Sequence, residues 1–406
     1  MSDTGANATT RSTAASQCPV GDWDYFAGGQ APMTAYRKMD ALSDQHEFFR
    51  VDDPHNSYYV FTRYDAILDG LQRPDLFSSS VSVVVDPDPP YKWIPLQLDA
   101  PEHNAWRRLL GGYFSPGRVE RLMPSMREVC ATLIEPLAGQ GGCDFMADFA
   151  QRFPSTIFLT ILGLDAGDLP KFLAWEHRIL HTDGSQLQDQ YAAMTEVTGF
   201  FSDLLDERRK NPDPNAEDIV SNALNWRIDG EPCRHEDLLN CLLLLFMAGL
   251  DTVASQLGWG FYHLATHEAD RRRIATEPAI HDKAVEEFLR AYPMVMTGRK
   301  VRQDVTFHGC PLNAGEIVMF PQPAAGRDNT QFPDAREVDL DRGTTRHTSF
   351  SAGPHRCLGS HLARVELEVA LDEWHRRIPD YRLDQTQPFT EHTGGVFGLD
   401  KLPLVW

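Results

Sequence analysis

The run Phe350-Ser351-Ala352-Gly353-Pro354-His355-Arg356-Cys357-Leu358-Gly359 sets one cysteine behind a glycine-rich turn with a histidine and an arginine beside it. Gly353 and Pro354 allow a tight turn, and Gly359 lets the backbone lie close to a flat ligand. Residues 358 to 377 read as an amphipathic helix with Leu358, Leu362, Val365, Val369 and Leu371 on its buried side. Cys357 thus falls at a helix N-terminus, where free N–H groups and the positive dipole end favour the thiolate, the form that attacks carbon or binds a metal. A cysteine taken alone is more often an inert buried side chain.

Three further groupings carry chemistry. Ala248-Gly249-Leu250-Asp251-Thr252 lies in an otherwise apolar stretch. Glycine costs up to ~1 kcal/mol in a helix interior, so Gly249 needs a reason, which a ligand lying close to the backbone supplies. An acid beside a hydroxyl in such a segment is costly unless paired or used. The bland readings are a Thr252 hydroxyl bonded back to the Ala248 carbonyl and an Asp251 buried in an ion pair. Glu287-Phe288-Leu289-Arg290 sets an acid and a base on one helical face, a spacing also abundant on solvated helices. His103-x-x-x-Arg107 places two anion-binding side chains one turn apart.

The elements that must position these residues are mostly helices. Residues 98 to 102, Leu-Asp-Ala-Pro-Glu, read as a helix start with Asp99 as cap and Pro101 in the first turn. Residues 237 to 267 form the longest helical candidate, apolar all round at 242 to 247, which marks a helix crossing the interior. Another helix spans 281 to 291 and stops before Pro293. Residues 305 to 309 and 316 to 320 read as strands joined hairpin-fashion through 311 to 315. Other strand signals are sparse, so the fold class is mainly α with small β-sheets.

Composition narrows the function. The 406 residues suggest two or three domains by length alone, but the informative motifs, spread from about 91 to 359, must converge, so residues 18 to 406 read as one domain. Residues 1 to 17, rich in Ser, Thr and Ala, read as a disordered tail without the apolar core of a signal peptide. The longest apolar stretch, 242 to 250, is well short of the ~20 residues of a membrane span. A net charge of −20 argues against a nucleic-acid partner. Seven cysteines without a C-x-x-C pair fit a reducing, cytoplasmic setting.

The pattern Phe-x-x-Gly-x-His-x-Cys-x-Gly resembles the haem-thiolate loop of cytochromes P450, and residues 248 to 252 resemble that family's oxygen-binding helix motif. The resemblance runs from about Cys18 to Trp406 and is closest to the bacterial camphor 5-monooxygenase group, through Thr297-Gly298-Arg299, His347-Thr348-Ser349-Phe350 and the terminal Leu402-Pro403-Leu404-Val405-Trp406. It implies the cytochrome P450 fold, a helical triangular prism with a long central helix over a haem b. Cys357 would be the iron ligand, with Gly249, Phe350, Gly353 and Gly359 around the cofactor and His103, Arg107, Arg299 and His355 gripping its propionates. Asp251 and Thr252 would deliver the protons that break the O–O bond. Glu287 and Arg290 would be structural, with a third partner near residues 334 to 337, Arg336 matching.

The same resemblance gives a substrate pocket of Tyr91, Trp93, Val83 or Val84, Leu244, Met247, Ala248, Thr252, Val295 and Val396. Tyr91 corresponds to the tyrosine whose phenol meets camphor's carbonyl. Lys92 and Thr297 stand where the group has acids, an acid of its access coupling is a histidine near His177, and Met247 and Ala248 are larger than their counterparts. The implied activity is therefore hydroxylation of a small hydrophobic terpenoid or norisoprenoid, camphor-like or ionone-like, by O2. Electrons would come from a [2Fe-2S] ferredoxin and an NAD(P)H-dependent ferredoxin reductase, docking near Arg107, Arg108, Arg356 and Arg364. Alternatives are a peroxide-driven peroxygenase of the same fold, a non-enzymatic haem-thiolate sensor or binding protein, and, remotely, a thiol hydrolase using Cys357 with His355.

Overall fold

The computed structural model describes residues 18–54, 56–180, 187–343 and 345–406, so the proposed tail lies outside the described residues. About 52% of the chain is helical, and the sheets are small. The apolar segment forms one helix, His235–Thr266, whose Leu242, Leu243, Phe246, Leu250, Ala254 and Leu257 are all buried. It is long and apolar enough to cross a membrane, yet 67% of its most apolar window is buried inside the protein, as befits a core helix. Against it pack Arg152–Leu162, Leu187–Lys210 and, near its C-terminal half, His281–Ala291. The helix after the cysteine runs Ser360–Arg377 and lies along Pro116–Ala138, an extensive helix pairing. Leu362, Val369 and Leu371 are buried as the pattern predicts, while Leu358 and Val365 are partly buried against the core.

Two expectations are corrected. The strand Val305–Phe307 pairs with Cys310–Leu312 in a two-stranded hairpin turning through His308 and Gly309, both at positive φ. The segment expected to be its partner, Ile317–Pro321, instead joins a five-stranded sheet between Ser57–Phe61, to which it is parallel, and Met296–Val301, to which it is antiparallel. Its five residues are buried throughout, which a hairpin edge cannot provide. Asp99 does not cap the next helix with its side chain. That helix is Glu102–Gly111, and Asp99 contributes only its carbonyl, accepting from the His103 N–H at 2.9 Å. The carboxylate is drawn off by Ser79 N–H (3.0 Å), Ser78 Oγ (2.5 Å) and Arg302 (2.5 Å).

Candidate active site

A cavity of about 330 Å³ separates the middle of His235–Thr266 from the cysteine loop. Leu245, Gly249, Thr252 and Gln256 line it from the helix at spacings of three and four, one helical face. Val295, Thr297 and Arg299 line it from the strand side at spacings of two, one face of a strand. That strand is crowded from behind: a Cβ on Gly298 would stand 2.7 Å from the Ser82 carbonyl oxygen. From the third side come Phe350, His355, Cys357 and Gly359.

The cysteine loop is held by its backbone. Cys357 N–H donates to the Phe350 carbonyl at 2.8 Å, and Ser351 N–H to the Thr348 carbonyl at 2.7 Å. Gly353 takes φ +66°, and any Cβ there would meet the Leu71 carbonyl oxygen at 2.6 Å, so only glycine fits. Gly359, at φ −77°, has no such demand. It gives a backbone N–H to the Cys357 sulfur. The thiol opens onto the cavity, but it lies deep enough that burial raises its pKa, opposed by the Gly359 N–H and by Arg107, Arg364 and Arg356. This corrects the helix-terminus argument. The helix begins only at Ser360, and without a metal the thiol is the favoured form; a coordinated metal would deprotonate it outright.

At the edge of the cavity is a cradle of basic side chains, His103, Arg107, Arg299 and His355, with no ion pair among the described residues. Arg299, 3% exposed, has its pKa pulled down to about 10 by burial, with only Asp99 acting the other way. Among the described residues its side chain makes one hydrogen bond, to the Gly298 carbonyl at 2.7 Å. Arg107 is lowered by burial too. The His103 and His355 rings lie 3.9 Å apart. Burial, then Arg299, His103 and Arg107, push His355 down to about 2, so it is neutral. Burying cations without partners is costly, and a ligand bringing two carboxylates would relieve that cost. An apolar slot with a thiol on one wall and this cradle at its edge therefore fits a haem, which His103, Arg107, Arg299 and His355 would hold by the propionates.

Asp251 is buried and accepts from Ser255 Oγ at 3.1 Å; Thr252 donates to the Ala248 carbonyl at 3.0 Å. The back-bonded Thr252 is thus realised, and its oxygen keeps its acceptor capacity beside the cavity. Gly249 has a packing reason besides a ligand, since a Cβ there would sit 2.5 Å from the Phe158 ring.

Glu287 and Arg290 form a two-bonded pair (2.6 and 2.8 Å) at 3% and 0% exposure. The third partner is Arg342, whose Nε lies 3.1 Å from Glu287, not Arg336. Arg336 reaches Asp44 at 2.6 Å and the Asp40 carbonyl. Next to this pair, Ser349 Oγ donates to the Leu289 carbonyl at 2.6 Å, tying the cysteine loop to the helix. Arg364, expected at a docking surface, is committed to Glu286 at 2.5 Å and stacks on Phe350.

Of the proposed pocket residues, Leu244, Ala248, Thr252 and Val295 line the cavity; Val83, Tyr91, Trp93, Met247 and Val396 do not. Val396 bridges to Val295 and Val83 to Asp86, Trp93 is buried against the core, and Met247 turns off the cavity face of its helix. The Tyr91 hydroxyl is spent on Thr195 Oγ1 at 2.7 Å. Gln256, Phe158, Gln322 and Glu366 line the cavity without having been singled out from sequence. Gln256 was within reach of helical spacing, four residues beyond Thr252; the others come from elements whose approach no local pattern shows.

The comparisons agree with this geometry. The cytochrome P450 family model matches residues 30–377. A probable cytochrome P450 127A1 of Sinorhizobium fredii is 36% identical over 77% of this chain and 74% of its own. A steroid C26-monooxygenase of Mycolicibacterium smegmatis is 30% identical over 94% of each. The crystal structure of CYP101J2 superposes with a TM-score of 0.85 at 30% identity, covering 95% of this chain and 96% of the other. Matched along nearly its whole length in sequence and in fold, the chain belongs to the cytochrome P450 family, monooxygenases whose haem b is bound through a thiolate.

Proposed function

We propose that this monooxygenase hydroxylates a small hydrophobic terpenoid or norisoprenoid, with Cys357 as the haem ligand. The observation that carries the reading is the cavity lining, where Leu244, Leu245, Ala248, Met294 and Val295 present hydrocarbon and Thr252 is one of a few polar groups, with Gln256, Thr297, Gln322 and Glu366. The Tyr91 hydroxyl is already bonded to Thr195, which supports recognition by shape more than by a carbonyl hydrogen bond. Haem, when bound, supplies the oxidising power that converts C–H to C–OH with O2. Thr252 holds a proton relay at the cavity wall and Asp251, one residue earlier and buried, refills it. That acid and alcohol pair favours an O2-driven monooxygenase over a peroxygenase or a sensor. Glu287, Arg290 and Arg342 hold the cysteine side together.

Residues 18 to 406 act as one domain in this reading, in the cytoplasm, as the free cysteines support. Electrons arrive from a [2Fe-2S] ferredoxin with its NAD(P)H-dependent reductase. With Arg107 turned to the cavity and Arg364 paired, the exposed Arg108 and Arg356 carry the docking charge.

An optical titration of the ferric protein tests the substrate. β-Ionone is expected to give a strong shift to high spin and camphor a weak one; the reverse order sinks the norisoprenoid assignment. A second measurement tests the relay. Thr252→Ala is expected to retain haem and NAD(P)H consumption while product per NAD(P)H falls about 10²-fold, with peroxide in its place. Fully coupled product formation in that variant refutes the role.

A further inference from the structure

Far from the active site, two cysteines 292 positions apart meet in the core. The Cys18 and Cys310 sulfurs are 3.9 Å apart, at 8% and 0% exposure. It is the one thiol to thiol contact among the described residues, whose seven cysteines are all free. Cys310 opens the second strand of the hairpin Val305–Phe307 and Cys310–Leu312, where its register partner is Phe307. Cys18 begins a short segment held on Phe48–Asp52 by two backbone bonds, Arg50 N–H to the Pro19 carbonyl (2.8 Å) and Gly21 N–H to the Arg50 carbonyl (2.9 Å). Between them Val20, opposite Arg50, turns outward, 60% exposed.

We propose that Cys18 and Cys310 form a reversible disulfide site that locks the N-terminal segment of the fold onto the hairpin. Three features point to it. The sulfurs need to approach by only about 1.9 Å to reach bonding distance. Among the described residues the stretch from Cys18 to Gly21 is tied to the sheet by two backbone bonds, so it opens locally more readily than the core and presents its thiol to a small reagent. Arg50, bonded to Asp52 at 2.9 Å, is a cation close enough to feel a charge on Cys18.

The oxidant class is a low-molecular-weight disulfide such as oxidised glutathione. The Cys18 thiolate attacks one sulfur, forming a mixed disulfide and releasing one glutathione thiolate. Burial, Cys18 and Glu316 hold the Cys310 thiol up in the closed fold, so it loses its proton to solvent while the segment is open; as the segment returns, the Cys310 thiolate attacks the Cys18 sulfur, forming the protein disulfide and releasing the second glutathione. The protein is oxidised by two electrons and glutathione disulfide is reduced to two thiols. The bond closes most of the chain into one loop, which restricts the unfolded state.

The test uses full-length holoprotein incubated with oxidised glutathione, then alkylated under denaturing conditions and mapped by peptide mass, with the haem band recorded throughout. The expected result is a Cys18 to Cys310 cross-linked peptide, lost on adding dithiothreitol, with Tm higher by roughly 3 to 6 °C in the oxidised form and an unchanged haem band. In Cys310→Ala, Cys18 should stop at the glutathione adduct with no gain in Tm. In Cys18→Ala, Cys310 should stay unmodified. Wild-type protein in which Cys18 remains free or stops at the adduct overturns the proposal, as does a cross-linked protein with an unchanged Tm.

Discussion

Cys357→Ser is expected to fold, to lose the spectrum of a thiolate-ligated haem and to fall in turnover by at least ~10³-fold, equal to about 4 kcal/mol of activation barrier. The fold should survive because the loop is shaped by its backbone: the Cys357 N–H to Phe350 bond and the left-handed Gly353 do not involve the sulfur. Chemistry should not survive, because a serine hydroxyl cannot supply the soft anionic sulfur that in this family pushes electron density toward O–O cleavage. Burial raises the Cys357 thiol, so its deprotonation would come with metal ligation, helped by the Gly359 N–H and by Arg107, Arg364 and Arg356. An alcohol ionises far less readily than a thiol, so the same surroundings cannot rescue it. The reduced carbon monoxide complex is the direct readout. A thiolate-type band in Cys357→Ser would mean that another cysteine ligates the iron, and the assignment of the whole cavity would fall with it.

Local chemistry was legible in the sequence and distant approach was not. The residues around Cys357 carry their meaning within ten positions, and the turn at Gly353 forms as read, whereas the thiol is raised by burial instead of favoured as thiolate by a helix start. The long apolar helix and its Asp251 and Thr252 were legible for the same reason, since helical spacing fixes which side chains share a face. Sheet partners depend on where the rest of the chain goes. Ile317–Pro321 shows only that it is a buried strand, and its parallel neighbour Ser57–Phe61 is more than 250 residues earlier. Arg336 and Arg342 lie in one irregular segment with no period to tell them apart, so the triad's third member could not be chosen. The outer pocket failed likewise. Tyr91 and Val83 belong to a loop whose direction is set by Thr195 and Asp86 contacts that no residue pattern announces. The cradle was named residue by residue, but the burial of Arg299 with Asp99 acting on it only from a distance and no ion pair among the described residues appears only in three dimensions.

The largest stability effect is expected at Glu287. Its carboxylate accepts two bonds from Arg290, one from the Asp339 N–H at 2.9 Å and one from Arg342 Nε at 3.1 Å. Arg290 is fully buried and also donates to the Gly326, Ala335 and Glu337 carbonyls, so it cannot swing to water when its acid is removed. Glu287→Ala should therefore cost about 3 to 5 kcal/mol in denaturant unfolding, the range for stranding one member of a buried ion pair. Haem occupancy should fall with it, because Ser349 is bonded to Leu289 on the same helix and holds the cysteine loop in place. The arginines separate the two candidate triads. Arg342, 12% exposed, joins the buried acid, whereas Arg336, 33% exposed, bonds the half-open Asp44. Arg342→Met is expected to lose at least about 2 kcal/mol and Arg336→Met no more than about 1 kcal/mol, the usual ceiling for a surface pair. Equal losses would return Arg336 to the triad. A Glu287→Ala protein as stable as wild type would show that the cysteine side is held by packing alone, with the ion pair merely enclosed by it.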